Sequence, residues 1–305
     1  MATHQTQHEL YKGDGKMKFL WDSGNVGQMY AIVERLTLKF AESLLRQAKV
    51  VDDTSDSKLI VLDEACGTGA VSAKLLDLLS DDAQGKLDLT MIDGSPTMLD
   101  LVHKRIESNN WGKYNIKVIQ VDANDTKLPS AQFTHVFLSF GPMIFPDPQV
   151  GLFEIYRLLK PGGTVGLSSH SKIGWISDVI AAWKTDPDLP PFPTNEGLAG
   201  VAGPHLKWNE PAWIKETLDK VGFVDIEIVS CPVYHVESNA TETFQILLPG
   251  TVGMIINTMW TQEQRDEMGQ KAKDVSVRYI QEKYGDGDLG WDWCALLITA
   301  RKPAQ

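Results

Sequence analysis

A short turn between two apolar segments carries the residues best suited to binding a ligand. The stretch "VLDEACGTGAVSAKLL", residues 61–76, joins an apolar run to an Ala/Leu-rich helix through Gly67 and Gly69. Glycines there let a ligand approach the backbone, and the helix that follows presents unpaired N–H groups. The turn also begins with two acids, Asp63 and Glu64, and has no Lys or Arg beside them. This negative charge restricts which ligand the turn can hold.

Two common cofactor classes fit this turn poorly. A nucleotide triphosphate loop requires G-x-x-x-x-G-K-[ST], and the turn lacks the Lys. A dinucleotide fingerprint requires G-x-G-x-x-G/A, but Ser72 stands at its third position. Asp63 would also repel a pyrophosphate, by roughly 4 kcal/mol at about 4 Å and an effective dielectric of about 20. The turn therefore disfavours nucleoside triphosphates and a nicotinamide oxidoreductase.

A locally cationic cofactor matches the acids of the turn. S-adenosylmethionine carries a sulfonium, an ammonium and one carboxylate. Asp63 suits its cationic amino-acid end, directly or through water, while the amides of the turn and helix suit its carboxylate. Asp63 can in addition cap the helix that begins near Gly69, and the two roles are compatible. We therefore interpret the turn as an S-adenosylmethionine site.

Acids at the ends of the next two predicted strands extend this cofactor site. Asp93 ends the second strand in "TMIDGSP", where a carboxylate can accept both ribose hydroxyls. Asp122 and Ala123 end the third strand in "VIQVDAND". There an acid can accept the adenine amino group and a small residue leaves room for the ring, although Asp122 can also form a simple Asx turn. We also assign to the cofactor site Tyr30, Ala65, Gly94, Met98 and Ser139.

The chemistry implied is an in-line displacement at the sulfonium methyl group. The leaving group is already activated, so the protein mainly supplies orientation and exclusion of water. A thiol acceptor needs little base because its pKa near 8.5 leaves some thiolate at neutral pH, whereas a phenol or amine needs more help. His170 is the candidate catalytic base, and its alternative role is a strand-end histidine bonded to the backbone. Four residues are assigned to the acceptor site: Trp21, Phe140, Met143 and Trp175.

Alternating strand and helix patterns predict the α/β framework that positions these residues. An amphipathic helix over Gly27–Val50 comes first. Strands are predicted over Leu59–Asp63, Leu87–Ile92, Ile116–Val121, Phe133–Phe140 and Thr164–Ser169, with helices between them. This alternation predicts a Rossmann-like parallel sheet with helices on both faces, and ligands bind at the carboxyl ends of its strands.

The later part of the chain has a different pattern. Asp186–Pro211 is rich in Pro and Gly and is predicted to be a lid loop. Residues 238–284 are predicted to form a cap over the strand ends. We therefore divide the chain into an N-terminal polar segment with a lid helix, residues 1–50, and a catalytic domain, residues 51–305. The catalytic domain carries insertions at about 186–211 and 238–284.

The motifs "VLDEACGTG", "MIDGS", "VDAND" and "LLKPGG", in this order, resemble those of class I S-adenosylmethionine-dependent methyltransferases over Leu59–Ser169. The stretches "FTHVFLSFGPMIFPDP", "LPPFPT", "WTQEQRDE" and "ALLITARKP" narrow the resemblance to fungal small-molecule methyltransferases, above all the gliotoxin bis-thiomethyltransferase family. The resemblance implies a seven-stranded sheet, with last strands Val224–Val236 and Trp291–Ala300, the latter antiparallel. It also implies methylation of a thiol or other nucleophile on a fungal secondary metabolite. Glu64 replaces an Asn of the family pattern, and "SSHSKIGW" departs from it near the expected acceptor.

Composition limits the partners and the location of the protein. The 305 residues, 43% of them hydrophobic, can form one large core or one domain with a cap. A net charge of -11 disfavours a nucleic-acid partner. The chain has no signal-like start and no apolar run that spans a bilayer, so we expect a cytoplasmic protein. Three cysteines without metal-ligand spacing indicate no metal site.

Three functions therefore remain open from the sequence. The leading one is methyl transfer to a small-molecule acceptor, possibly a thiol, by a monomer or weak dimer. The second is an O- or N-methyltransferase of a natural-product pathway. The third is a regulatory protein that keeps the methyltransferase fold and the cofactor without turnover.

Overall fold

The computed structural model describes residues 26–51, 58–145, 147–192 and 207–304. Its strands are β1 Leu59–Glu64, β2 Leu87–Asp93, β3 Asn115–Gln120, β4 Phe133–Ser139, β5 Leu159–Lys172, β6 Val224–Glu237 and β7 Leu289–Arg301. Its helices are α1 Val26–Gln47, α2 Ala70–Leu78, α3 Asp81–Gly85, α4 Pro96–Ser108, α5 Pro148–Leu158, α6 Ile176–Trp183, α7 Pro211–Val221, α8 Ala240–Leu247, α9 Val252–Met259 and α10 Gln262–Tyr284. Short 3-10 turns cover Trp111–Lys113 and Leu248–Gly250.

The strands form one seven-stranded sheet in the order β3-β2-β1-β4-β5-β7-β6. The pairs β1–β2, β1–β4, β2–β3 and β4–β5 are parallel. The amide of Gly162 donates to the carbonyl of Lys302 at 3.0 Å, and the amide of Lys302 donates to that of Gly163 at 2.9 Å. The end of β7 therefore lies beside the start of β5, which is the antiparallel arrangement. The predicted Rossmann-like, mostly parallel seven-stranded sheet is confirmed.

The sheet order places a ligand-binding crevice at the end of β1. Chain order runs outward from β1 to β2 and β3 on one side, and the chain then returns to β4 and β5 on the other side. In open parallel sheets, ligands bind at the carboxyl ends of the strands where this reversal occurs. The glycine turn after β1 lies at that point.

The central strands form the core because they are apolar along nearly their whole length. Leu62, Leu89, Met91, Val136 and Phe137 are each at most 1% exposed. A parallel sheet covered on both faces produces such continuous apolar runs rather than alternation. The packed core therefore holds the strand ends in fixed positions. The polar residues that directly follow the strands are held in place as well.

The start of β5 differs from the sequence prediction. The predicted fifth strand began at Thr164, but β5 already begins at Leu159, where α5 ends. The "KPGG" segment forms an irregularity within β5, because the pairing with β4 shifts between Phe133–Leu159 and His135–Thr164 and Gly162 has a left-handed φ of 77°. A Cβ on Gly163 would lie 2.9 Å from the carbonyl oxygen of Lys160. Only the close packing in the folded chain reveals that this apparent turn belongs to the strand.

Contacts divide the chain into two compact units. The core unit comprises the described residues of Glu34–Ser171, Lys207–Cys231 and Ala295–Gln305. The second unit comprises those of Met1–Val33, Lys172–Leu206 and Pro232–Cys294. Our division at residue 50 and the closure of a cap or lid over the strand ends stay predictions.

The predicted cap segment, residues 238–284, is helical in the structure. It consists of α8, α9 and α10 and belongs to the second unit. Much of the predicted lid loop, residues 193–206, lies outside the described residues. None of the described helices is long and apolar enough to cross a membrane.

A buried carboxylate links three elements of the second unit. Asp178 on α6 is 3% exposed, and its Oδ1 contacts the Nζ of Lys283 on α10 at 2.6 Å. Its Oδ2 accepts hydrogen bonds from the hydroxyl of Tyr284 at 2.9 Å and from the Nε1 of Trp291 at 2.8 Å. Removing this carboxylate would leave a buried indole N–H and a hydroxyl without their acceptor.

We expect Asp178→Ala to lower the free energy of unfolding by about 2–4 kcal/mol, because broken buried charge pairs and hydrogen bonds are costly. Urea denaturation measures this value. Asp188→Ala is the matched control, since Asp188 is exposed and pairs with Lys271 of the same helix α10 at 2.8 Å. Exposed pairs contribute at most about 1 kcal/mol. Equal losses in the two variants would contradict the structural role of Asp178.

Candidate active site

The glycine turn after β1 has a conformation that few residue types can adopt. Ala65, Gly67 and Gly69 have φ values of 48°, 54° and 79°. The amide of Gly69 donates to the carbonyl of Cys66 at 2.8 Å, which closes the turn directly before α2. A Cβ on Gly69 would lie 2.6 Å from the Cε of Met91. The turn therefore requires its glycines, and it presents the first free amides of α2 at the crevice.

Asp93 holds this turn from the end of β2. Its Oδ2 accepts a hydrogen bond from the amide of Gly67 at 2.9 Å, and its Oδ1 accepts one from the amide of Ser95 at 2.8 Å. Burial raises the pKa of Asp93 above its ordinary value, and these bonds oppose that shift. Each carboxylate oxygen keeps a further lone pair for a ligand hydroxyl. Asp93 is thus fixed in a position from which it can accept ribose hydroxyls.

Asp63 performs the helix-holding role that the sequence allowed. The residue is 2% exposed, and its Oδ2 accepts hydrogen bonds from the amide and the hydroxyl of Ser72 at 3.1 and 2.6 Å. Burial raises the pKa of Asp63 to about 7, against the lowering effect of these two bonds. The carboxylate thus caps the first turn of α2. Its contact with a cationic ligand stays a prediction.

A cavity of about 470 Å³ opens at the carboxyl ends of β1, β2 and β3. Cavities of this size accommodate a small organic ligand. The lining residues are Ala65, Gly94, Gln120, Val121, Asp122, Ala123, Asn124 and Phe145. Four of them are predicted cofactor residues: Ala65, Gly94, Asp122 and Ala123. Gly94, which lines the cavity, directly follows Asp93 in the chain. A ribose bound at Asp93 and an adenine ring in the cavity would therefore lie side by side.

Asp122 forms the Asx turn that the sequence left open, and its contact with the adenine stays a prediction. Its Oδ1 accepts hydrogen bonds from the amide of Asn124 at 2.8 Å and from the side-chain nitrogen of Asn124 at 3.1 Å. This is the Asx turn, and the same residue lines the cavity. Phe145, from the loop after β4, is an aromatic residue of the cavity wall that the sequence offered only as one of several possible acceptor-pocket residues, not as a cofactor residue. Its signal, an aromatic residue beside Pro146 after a strand end, is too common to single it out.

The residues of the turn, Asp93 and the cavity fit S-adenosylmethionine. Asp93 offers carboxylate oxygens for the ribose, and the cavity offers space and an aromatic wall for the adenine. The amides at the start of α2 suit the carboxylate of the amino-acid end. The fit rests on the fixed geometry of Asp93 and on the cavity beside it.

Ser139, Phe140 and His170 meet at the ends of β4 and β5. The imidazole of His170 stacks on the ring of Phe140, with centroids 4.3 Å apart and planes inclined by 23°. The hydroxyls of Ser139 and Ser168 lie 2.9 Å apart, and the Oγ of Ser168 accepts a hydrogen bond from the amide of Phe140 at 2.9 Å. Burial lowers the pKa of His170 to about 4. The imidazole is therefore neutral at pH 7 and weakly basic.

Other predicted site residues occupy different environments. Met98 is 2% exposed in the first turn of α4, and its role toward the cofactor stays a prediction. Met143 lies half-buried in the loop after β4. Tyr30 on α1 and Trp175 before α6 belong to the second unit, and their roles stay predictions. Trp21 lies outside the described residues.

The sequence did not predict two further features of the core unit, the charge of Arg105 near Asp63 and the burial of Glu64. The turn itself contains no cation, but the charge of Arg105 on α4 lowers the pKa of Asp63, against the raising effect of burial. Glu64 is 0% exposed, and neither of its carboxylate oxygens has a hydrogen-bond partner among the described residues. Burial, with a smaller effect from the charge of Glu154, raises the pKa of Glu64 well above its ordinary value.

The sheet order, the glycine turn and the acid after β2 define an α/β enzyme of the methyltransferase class. Residues 61–163 match the family model described as a methyltransferase domain. Methyltransferase tpcH of Aspergillus fumigatus is 30% identical over 277 residues, which cover 90% of this chain and 95% of that protein. The acetylaranotin bis-thiomethyltransferase of Aspergillus terreus is 31% identical and covers 90% and 93%, respectively. The chain belongs to this family of fungal methyltransferases.

A solved structure shows the same fold. It is phosphoethanolamine N-methyltransferase 2 of Haemonchus contortus in complex with S-adenosyl-L-methionine, 18% identical with a TM-score of 0.50. The match covers 94% of this chain and 60% of that chain, and it shows the fold alone. The family assignment confirms the predicted methyltransferase and its cofactor, S-adenosylmethionine.

Proposed function

We propose that the protein transfers the methyl group of S-adenosylmethionine to a thiol on a small fungal metabolite. The observation that carries the proposal is the stack of the His170 imidazole on the ring of Phe140 at the ends of β4 and β5, where burial lowers the pKa of His170 to about 4. A base this weak gives little help to a phenol or a protonated amine. A thiol has a pKa near 8.5 and supplies its own thiolate. The name of the Aspergillus terreus relative, a bis-thiomethyltransferase, agrees with this acceptor class.

The core unit would hold the cofactor through three groups of its own. Asp93 would accept the ribose hydroxyls, because the amides of Gly67 and Ser95 already fix both of its oxygens. The cavity beside Gly94, walled by Phe145, would enclose the adenine. The amides at the start of α2 would bind the carboxylate. The bound cofactor supplies an activated methyl group on a cationic sulfur.

The protein then orients the acceptor and excludes water from the site, and it does not transfer a proton. The stacked rings of Phe140 and His170 form an apolar wall at the ends of β4 and β5. A wall of this kind excludes water and limits the directions from which a nucleophile approaches. A thiolate needs only a straight approach to the methyl carbon, on the side opposite the sulfur. The stretch "SSHSKIGW", residues 168–175, which departs from the family pattern, contributes His170 to this wall.

The acceptor class is tested by competition between nucleophiles. Purified protein is incubated with S-adenosylmethionine and a matched panel of thiols, phenols and amines on the same carbon skeletons. Mass spectrometry measures S-adenosylhomocysteine and the methylated product together. We expect methylated thiols, with rates that rise with pH as the thiol ionises. Preferential methylation of phenols or amines would overturn the thiol proposal, and cofactor binding without any product would favour a regulatory protein.

We expect His170→Gln to retain at least about one tenth of the kcat with a thiol acceptor, because the side chain forms a wall. Loss of a general base costs about 10²–10⁴-fold in rate. Single-turnover kinetics at saturating cofactor measure the chemical step. A loss above about 100-fold, with cofactor affinity and thermal stability unchanged, would show that His170 is the catalytic base that the sequence suggested. Phe140→Leu is the companion variant, because it removes the ring stack and leaves the imidazole.

A further inference from the structure

We infer that Glu34 is a positioning residue that holds the glycine turn in its cofactor-binding form. This inference rests on the proposed cofactor site and extends it to a residue of α1. Glu34 lies 33 positions before Gly67 in the chain. It touches neither the cavity nor Asp93 in the described contacts, so it would act through the turn.

Both carboxylate oxygens of Glu34 are engaged. Its Oε2 accepts a hydrogen bond from the hydroxyl of Thr68, and its Oε1 accepts one from the Nη2 of Arg105 on α4. The side chains of Glu34 and Arg105 are 16% and 20% exposed, and Thr68 is 8% exposed. Charge-assisted hydrogen bonds in such partly buried surroundings are stronger than neutral ones. The three side chains therefore clamp α1, the turn and α4 together.

The turn needs an anchor at its middle. Thr68 stands between Gly67 and Gly69, which both have positive φ and retain wide backbone freedom when unrestrained. The backbone of Gly67 is held by Asp93, and that of Gly69 is held by Cys66. Thr68 supplies the side chain between these two points, and its hydroxyl bonds to Glu34. Without that bond the peptide groups around Thr68 can rotate away from the orientation that Asp93 and α2 require.

The charges around the turn explain why Arg105 belongs to the same clamp. Burial, and to a smaller extent the charge of Asp93, raises the pKa of Asp63, and the charge of Arg105 opposes this shift. A third acid, Glu34, would add repulsion unless a cation held it. The bond to Arg105 directs the Glu34 carboxylate so that its other oxygen faces Thr68. Arg105 therefore compensates the acids and orients Glu34.

The test compares S-adenosylhomocysteine affinity by calorimetry in variants of the full chain. We expect Glu34→Ala and Thr68→Val each to weaken binding about 5–50-fold, and the double variant to weaken it no further than the stronger single one. Thr68→Ser keeps the hydroxyl and should restore affinity to within about twofold of the native protein. Glu42→Gln is the matched control, because Glu42 lies on the same helix and pairs with the exposed Arg46. It should bind normally.

A kinetic readout separates positioning from general stability. With the proposed thiol acceptor, Thr68→Val should raise the KM for S-adenosylmethionine and leave the kcat at saturating cofactor within about threefold. Native affinity in both Glu34→Ala and Thr68→Val, while Asp93→Ala loses affinity, would overturn the role of Glu34. A native protein that ignores both cofactor forms would instead overturn the proposed function. If Glu34→Ala does not fold, Thr68→Val against Thr68→Ser decides the question.

Discussion

Replacing Asp93 with alanine is expected to weaken S-adenosylmethionine binding by about 5–150-fold, which corresponds to about 1–3 kcal/mol. The carboxylate lies at the end of β2 with both oxygens fixed by backbone amides. Alanine would leave the ribose hydroxyls without acceptors and would also release the amide of Gly67. Isothermal calorimetry with S-adenosylmethionine and S-adenosylhomocysteine measures the loss for both cofactor forms.

Two further variants distinguish the loss of a hydrogen-bond acceptor from the loss of a negative charge. Asp100→Ala removes an equal charge from an exposed position on α4 and should leave the affinity unchanged. Asp93→Asn keeps one carbonyl acceptor and should give an intermediate loss. Unchanged affinity in Asp93→Ala would remove the ribose assignment, and an equal loss in Asp100→Ala would indicate a long-range charge effect instead.

Replacing Glu64 with glutamine is expected to stabilise the protein, and the effect should grow with pH. Glu64 is fully buried without a hydrogen-bond partner among the described residues, and its pKa in the folded chain is raised by burial. In the unfolded chain its pKa is close to the ordinary value of 4.5. Above that pH, unfolding releases a proton, so the folded state loses stability as the pH rises toward the folded pKa. Glutamine has a similar shape and no proton to lose.

The measurement is urea denaturation of the native protein and Glu64→Gln at pH 5 and pH 8. We expect nearly equal stability at pH 5 and a clear gain in the variant at pH 8, which amounts to about 1.4 kcal/mol for each pH unit over which only the unfolded chain is ionised. Other raised groups such as Asp63 titrate in both proteins and cancel in the difference. Glu107→Gln on the exposed face of α4 should change nothing. A constant difference at both pH values would contradict the buried, protonated Glu64.

Local sequence patterns predicted the framework of the core unit well. The apolar runs that became β1, β2 and β4 have unambiguous length and are followed by glycines or acids, so their ends could be located within a residue or two. The same pattern predicted the position of Asp93, because an acid at the end of a buried strand lies at the carboxyl edge of the sheet, where ligands bind. The number of strands and the antiparallel β7 came from the family resemblance rather than from any local pattern, and the order of the strands is given by the structure alone.

The contacts between distant segments could not be predicted from the sequence. Glu34 and Arg105 are ordinary charged residues on helices, and nothing in their spacing indicates that both approach Thr68. The charge of Asp63 suggested a cationic ligand, but its first partner is Ser72, which only the folded turn brings within reach. Met98 lies in the first turn of α4 at 2% exposed, and its assignment to the cofactor stays a prediction.

We propose that the strand ends of the core unit hold S-adenosylmethionine through Asp93 and the cavity beside it. A crystal structure of the protein with S-adenosylhomocysteine is the decisive measurement. We expect ribose hydroxyls within about 3 Å of the Asp93 carboxylate and an adenine ring in the cavity that Asp122, Ala123 and Phe145 line. A nucleoside bound elsewhere, with Asp93 bonded only to Gly67 and Ser95, would contradict it.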